Sequence, residues 1–241
     1  GIGPGDEVIT TPQTFIASAT AIIESGAKPV FVDVESQTGN IDAALIEKAI
    51  TPRTKAILPV HLYGLMCDMK AIRKIADKHK LAIVEDAAHC IEGERDGIRP
   101  GQVSDAACFS FYATKNITCG EGGAIAFNNP DWYEKLKLLR LHGMSKNAAD
   151  RHDEGYKHWD MPSMGWKYNM DNIHAALLIP QLKRLDANLQ KRENLAQAYA
   201  SALKEISEVR MVVPPPGVRH AQHLITIWVP ASKRDGLIDF L

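Results

Sequence analysis

Leu81-Ala82-Ile83-Val84-Glu85-Asp86-Ala87-Ala88-His89 is an apolar run of strand length that ends on two adjacent acids and leaves through small residues. Such a run, closed by a turn, reads as a strand buried on both faces, the kind that builds parallel sheets. Outward from it, similar runs at Glu7 to Thr10, Val30 to Val34 and Ala56 to Val60 alternate with helix-like stretches at Phe15 to Ser25, Asp42 to Ile50 and Met69 to His79. This alternation predicts an α/β fold with a largely parallel sheet flanked by helices. The punctuation agrees: Ser25-Gly26 closes the first helix, Asp42 caps the second, Thr51-Pro52 stops it, and Asp68 caps the third.

A second stretch carries the chemistry. Phe109-Ser110-Phe111-Tyr112-Ala113-Thr114-Lys115 runs into Asn116-Ile117-Thr118-Cys119-Gly120-Glu121-Gly122-Gly123, placing one lysine between a short strand and a glycine-rich turn. Parallel sheets collect ligands at the carboxyl ends of their strands, where both Asp86 and Lys115 fall. A primary amine there can form a Schiff base and then move a proton, and an acid can pair with a protonated ring nitrogen. The pair therefore suggests an aldehyde cofactor. Strand alternation sends Glu85 to the face opposite Asp86. The plainer readings are a solvated lysine and a capping aspartate.

Further along, a strand is expected at Ala124 to Phe127 and a helix from Pro130-Asp131-Trp132 to Arg140. Gly143 to Ser163 is polar and without period, and reads as a surface loop long enough to be functional. A long amphipathic helix follows from Asp171 towards Ile206, with a kink expected at Pro180. Pro214-Pro215-Pro216-Gly217 breaks the chain, and Leu224 to Val229 reads as a strand of a second domain. The expected division is a large domain over 1–180, and a connecting helix with the start of a small α+β domain over 181–241. The abrupt opening on Gly1-Ile2-Gly3-Pro4-Gly5 adds the expectation of a fragment lacking both ends of a larger enzyme.

Bulk properties exclude several classes. The chain has 28 Lys and Arg against 29 Asp and Glu, so it has no field to attract nucleic acid or an anionic membrane. Its apolar runs fall well short of the roughly 20 residues of a membrane span, and its start does not resemble an export signal. A cytoplasmic protein is expected. Cys67, Cys90, Cys108 and Cys119 form no CxxC pair, which leaves neither a disulfide framework nor a zinc knuckle, only small core or turn residues.

The segments GDEVITTPQTFIASATA, EDAAH, FSFYATKNITCGEGG and GWKYNMDNIHAA together resemble the DegT/DnrJ/StrS family of nucleotide-sugar aminotransferases, across nearly the whole chain. The lysine and GWKYN segments are also similar to the branch that acts on UDP-4-keto-sugars. The resemblance implies the type I fold of pyridoxal-phosphate enzymes, with a mostly parallel sheet of the seven-stranded type. It implies transfer of an amino group, with glutamate as the expected donor, to a keto group on a nucleotide-linked sugar in a homodimer. It assigns Lys115 to the cofactor's aldehyde, Asp86 to its ring nitrogen, His89 to a place near its phenolic oxygen, and Phe15 to stacking on the ring. Ser110 would donate to the phosphate, and Asn169 would reach the phosphate of the neighbouring subunit. Phe15 read alone is a core residue, His89 a structural histidine, Ser110 a strand-end hydroxyl and Asn169 a turn residue. In the family a phosphate-binding turn lies upstream of the segment that begins here, and the rest of the small domain lies downstream of Leu241. Related sugar dehydratases carry histidine in place of the lysine, so Lys115 weighs against that alternative. A non-catalytic regulatory relative is the other.

Other motifs carry no function. Gly1-Ile2-Gly3-Pro4-Gly5 is not a dinucleotide fingerprint and reads as a turn. His220-Ala221-Gln222-His223 lacks the spacing and acidic company of a zinc site, as do His152 and His158, so no metal is expected. No GxSxG elbow makes Ser110 a hydrolase nucleophile. Lys183-Arg184 and Lys191-Arg192 read as the solvated face of the long helix.

Overall fold

The computed structural model describes residues 1–145 and 160–241. Much of the Gly143 to Ser163 loop, with His152 and His158, lies outside the described residues. A six-stranded sheet has the order β2-β1-β3-β4-β6-β7. Its strands are β1 (Glu7–Thr10), β2 (Lys28–Phe31), β3 (Thr54–Ile57), β4 (Ala82–Asp86), β6 (Ala106–Ser110) and β7 (Gly123–Phe127), with β5 (Glu94–Arg95) lying apart. All neighbours run parallel except β7, which is antiparallel to β6 with Ser110 opposite Gly123. The carboxyl ends of β4 and β6 thus lie side by side, with Asp86 in register with Cys108.

Among the described residues the α-helices are α1 (Ala17–Glu24), α2 (Ala43–Ala49), α3 (Met69–His79), α4 (Asp131–Leu139), α5 (Asn172–Leu182), α6 (Leu185–Leu203) and α7 (Ala231–Phe240). The expected caps are present: Asp42 accepts from the Ala44 amide at 2.9 Å, and Asp68 accepts from the Ala71 amide at 2.9 Å. Adjacent β1 residues feed opposite faces of the sheet, as the pleat requires. Ile9 joins Ile41, Ile46, Ile57, Ile72 and Ile83 under α2 and α3, whereas Val8 packs with Ile22, Ala27 and Ala56 under α1.

Beyond residue 180 the chain departs from expectation. The long helix breaks at Lys183-Arg184 rather than at Pro180, which sits inside α5. Proline denies the Ala176 carbonyl its helical donor, yet α5 continues past it. The Arg184 guanidinium donates back to the Pro180 carbonyl at 3.2 Å, satisfying a carbonyl at the helix end. The expected strand over Leu224 to Val229 shrinks to β10 (Ile227–Trp228), paired antiparallel with β8 (Arg210–Met211). The strand β9 (Val218–Arg219) pairs instead with β5.

Candidate active site

Asp86 ends β4 with both carboxylate oxygens engaged. Oδ2 accepts from Ser18 Oγ at 2.7 Å, and Oδ1 accepts from the Ala88 amide at 3.1 Å. Glu85 points the other way, as alternation requires, into a fully buried contact with His61 at 2.5 Å. The Cys67 amide donates to His61 Nδ1 at 3.2 Å, so the ring proton sits on Nε2 and is given to Glu85. Burial opposes ionisation of Glu85. The His61 hydrogen bond and the Gly101 amide outweigh it and hold the carboxyl below its usual range. Glu85 therefore braces the strand from behind while Asp86 faces a cavity of about 1220 Å³.

Lys115 reaches the same cavity from a loop fixed at several points. The Phe111 amide donates to the Gly122 carbonyl at 2.8 Å, and the Cys119 amide donates to the Phe111 carbonyl at 3.0 Å. Gln181 of α5 clamps the loop with both ends of its amide, accepting from the Thr118 amide at 3.0 Å and donating to the Thr118 carbonyl at 2.7 Å. Phe111, Ile117 and Cys119 pack with Leu178 of α5 beneath it. The glycine-rich turn is a matter of space at Gly122, where a Cβ would lie 2.5 Å from Cys119 Sγ and 2.9 Å from Met170 Sδ. Lys115 is half-buried, and this burial lowers its proton affinity, with the Asp86 carboxylate opposing the shift. An amine eased towards its neutral form beside a carboxylate is suited to attack a carbonyl and to carry a proton.

His89 borders the cavity between two other rings. It stacks on His223 at a centroid distance of 4.3 Å and on Tyr63 at 6.1 Å. The Tyr63 amide donates to His89 Nδ1 at 3.3 Å, which leaves the ring proton on Nε2. Burial, reinforced by the Lys115 charge and resisted by Asp86, pushes its pKa down to about 4. His89 is therefore a neutral donor at physiological pH. Phe15 is 72% exposed and lines the cavity, so it is not a core residue. Ser110 lines the cavity too, its Oγ accepting from the Tyr112 amide at 3.3 Å. Asn169 does not border this cavity; it is half-buried ahead of α5, with Oδ1 accepting from Lys167 Nζ at 2.5 Å. Among the described residues no cluster of His, Cys, Asp and Glu could hold a metal ion.

A strand-end carboxylate and a lysine on one cavity of a parallel sheet call for comparison with known proteins, and a profile of the DegT/DnrJ/EryC1/StrS aminotransferases matches residues 1–241. The chain belongs to this family. It is 44% identical over 234 residues to the spore coat polysaccharide biosynthesis protein SpsC of Bacillus subtilis (strain 168), covering 97% of this chain and 60% of that protein. It is 45% identical over 206 residues to GDP-perosamine synthase of Caulobacter vibrioides, covering 86% of this chain and 53% of the synthase. Among solved structures, S. venezuelae DesV in complex with a ketimine intermediate superposes with a TM-score of 0.89 at 40% identity, over 98% of this chain and 61% of DesV. The PLP-form of the putative sugar aminotransferase Spr1654 from Streptococcus pneumoniae also gives 0.89, at 31% identity, over 100% of this chain and 65% of that one. The chain thus spans between 53% and 60% of these two sequence relatives.

For this family member, the fold brings Asp86, His89, Ser110, Lys115 and Phe15 to one cavity. Sequence reasoning missed three groups around it. Ser18 holds Asp86, and nothing in its local sequence marks it. His223 borders the cavity and gives its Nδ1 proton to Asn116 Oδ1 at 2.9 Å. Its neighbour Arg192 is not on a solvated face: its guanidinium is paired with Glu92, whose side chain is 1% exposed. Glu92 also accepts from Asn116 Nδ2 at 2.7 Å, and Asn116 follows Lys115 directly. The one available signal was Asn116 itself, a polar residue directly after the lysine.

Proposed function

We propose that the protein is a pyridoxal-phosphate-dependent aminotransferase that moves an amino group from an amino-acid donor, glutamate in the first instance, to a keto group on a nucleotide-linked sugar. The observation that carries this is the half-buried Lys115 amine facing the same cavity as Asp86. Family membership and the names of the relatives support the amino-sugar product.

The donor set fits pyridoxal phosphate: an amine for its aldehyde, a carboxylate for its ring nitrogen, a neutral imidazole N–H for its phenolic oxygen, and an aromatic face at Phe15. Ser110 supplies a hydroxyl for the phosphate. When bound, the cofactor supplies an electron sink that lets a C–H bond next to the amino group be broken. Lys115 Nζ would hold the cofactor's aldehyde and, once free, would carry the proton to and from the carbon next to the amino group. Asp86 would pair with the protonated ring nitrogen, its oxygens already oriented by Ser18 and Ala88. His89 Nε2–H donates without changing charge across the physiological range. Lys115 also argues against the dehydratase alternative, which has histidine at that place.

A homodimer with Asn169 contributed across the interface belongs to the same proposal. It is supported by large apolar side chains standing exposed, including Phe15 and, on either side of Asn169 in sequence, Tyr168 and Ile173. The division into a large domain over 1–180 and the start of a small one after it is supported by the main sheet lying wholly in the first part. Among the described residues no helix is long and apolar enough to cross a membrane. A cytoplasmic setting is proposed with the function, and four free cysteines suit a reducing compartment.

The test is an absorbance spectrum of the protein with pyridoxal phosphate, before and after glutamate, then borohydride reduction and peptide mapping. A visible band that fades with glutamate, with cofactor mass fixed on Lys115 and absent from Lys115→Ala, is expected. Cofactor fixed on another lysine, or no band in a chain extended to the length of the relatives, refutes it.

A further inference from the structure

We propose that Ser18 is a positioning residue for Asp86 and that Thr14 acts through it, so that a two-hydroxyl chain sets the orientation of the carboxylate that meets the cofactor's ring nitrogen. The inference rests on the cofactor reading above and deepens it.

The donor directions follow from counting protons. Ser18 Oγ lies 2.7 Å from Asp86 Oδ2 and 2.7 Å from Thr14 Oγ1. An ionised carboxylate can only accept, so the single Ser18 proton goes to Asp86 and Thr14 must donate to Ser18. Each hydroxyl polarises the next, which strengthens the terminal bond. Ser18 is 4% exposed, so water does not compete for the contact. Its hydroxyl is also free of local duty. Serine near a helix start commonly bonds to nearby backbone amides, but α1 has Ile16 at its N-cap and no side-chain cap.

The geometry has a purpose beyond holding α1 to β4. With Ala88 N–H on Oδ1 and Ser18 O–H on Oδ2, the carboxylate is held at both oxygens and cannot rotate freely. Each acceptor keeps lone pairs for a partner in the cavity, which Thr14, Ser18 and Asp86 all line. The chain therefore keeps the Asp86 carboxylate aimed at the cavity, as a pyridinium partner must be.

The experiment uses Ser18→Ala, Ser18→Thr and Thr14→Val in the protein loaded with pyridoxal phosphate enriched in 15N at the ring. The ring-nitrogen shift should move towards neutral pyridine in Ser18→Ala and return in Ser18→Thr. Thr14→Val should move it less in the same direction. A purely structural tie would lower the melting temperature and leave the shift in place. An unmoved ring-nitrogen shift in a Ser18→Ala protein that still takes up cofactor overturns the proposal alone; a wild type that takes up none overturns it together with the function.

Discussion

Arg192→Met should cost far more stability than a helix-surface substitution. The Glu92 side chain is 1% exposed, with one oxygen on the Arg192 guanidinium and the other 2.7 Å from Asn116 Nδ2. Arg192 Nε also donates to the Ala221 carbonyl at 3.3 Å. Without the guanidinium, a buried carboxylate keeps one neutral donor and no countercharge. Breaking a buried pair from one side costs about 3–5 kcal/mol, and the 24% exposure of Arg192 argues for the lower figure. About 3 kcal/mol corresponds to a melting-point loss of roughly 6–12 °C for a chain of this size. Urea unfolding of Arg192→Met, Glu92→Met and the double variant measures it. The double variant should recover more than half the loss, because removing both side chains leaves no buried charge unpaired. An Arg192→Met cost below about 1 kcal/mol, the range of an exposed pair, would refute the reasoning.

Three further outcomes follow from burial and caps. His220 is buried, which lowers its pKa from 6.5 to about 4, so its stabilising contribution is present above pH 6.5 and is lost as pH falls towards 4. Between pH 7 and 5 the loss should approach about 2 kcal/mol for this residue, with His220→Asn removing that share of the fall in urea midpoint. His89 and His223 act in the same direction and window. Gly122→Ala should destabilise by about 1–3 kcal/mol in thermal melts, through the Cys119 and Met170 sulfurs its Cβ would meet. Asp68→Ala should cost about 1 kcal/mol or more in denaturant titration, because Asp68 caps α3 and also accepts from Arg95 Nη2 at 3.4 Å.

What the amino-acid order alone determined was the alternation of strand and helix, the caps at Asp42 and Asp68, and the placing of Asp86 at a strand end and Lys115 in the turn after a strand. These are local properties: pleat period, turn residues and the one-handed connections of parallel strands fix them within a few residues. Glu85 and Asp86 could be sent to opposite faces on that ground, and the structure has them there. Only the tertiary structure decided which hydroxyl would hold Asp86 across 68 residues, that His223 would reach Asn116 across 107, and that Arg192 would meet Glu92 across 100. It also put the helix break at Arg184 rather than Pro180. An amphipathic helix specifies that one face is buried, but the partner of a charge at the edge of that face depends on which loop the packing brings beneath it. Arg192 looked solvated in one dimension because its partner lies on another part of the chain, and burial alone makes that partner matter.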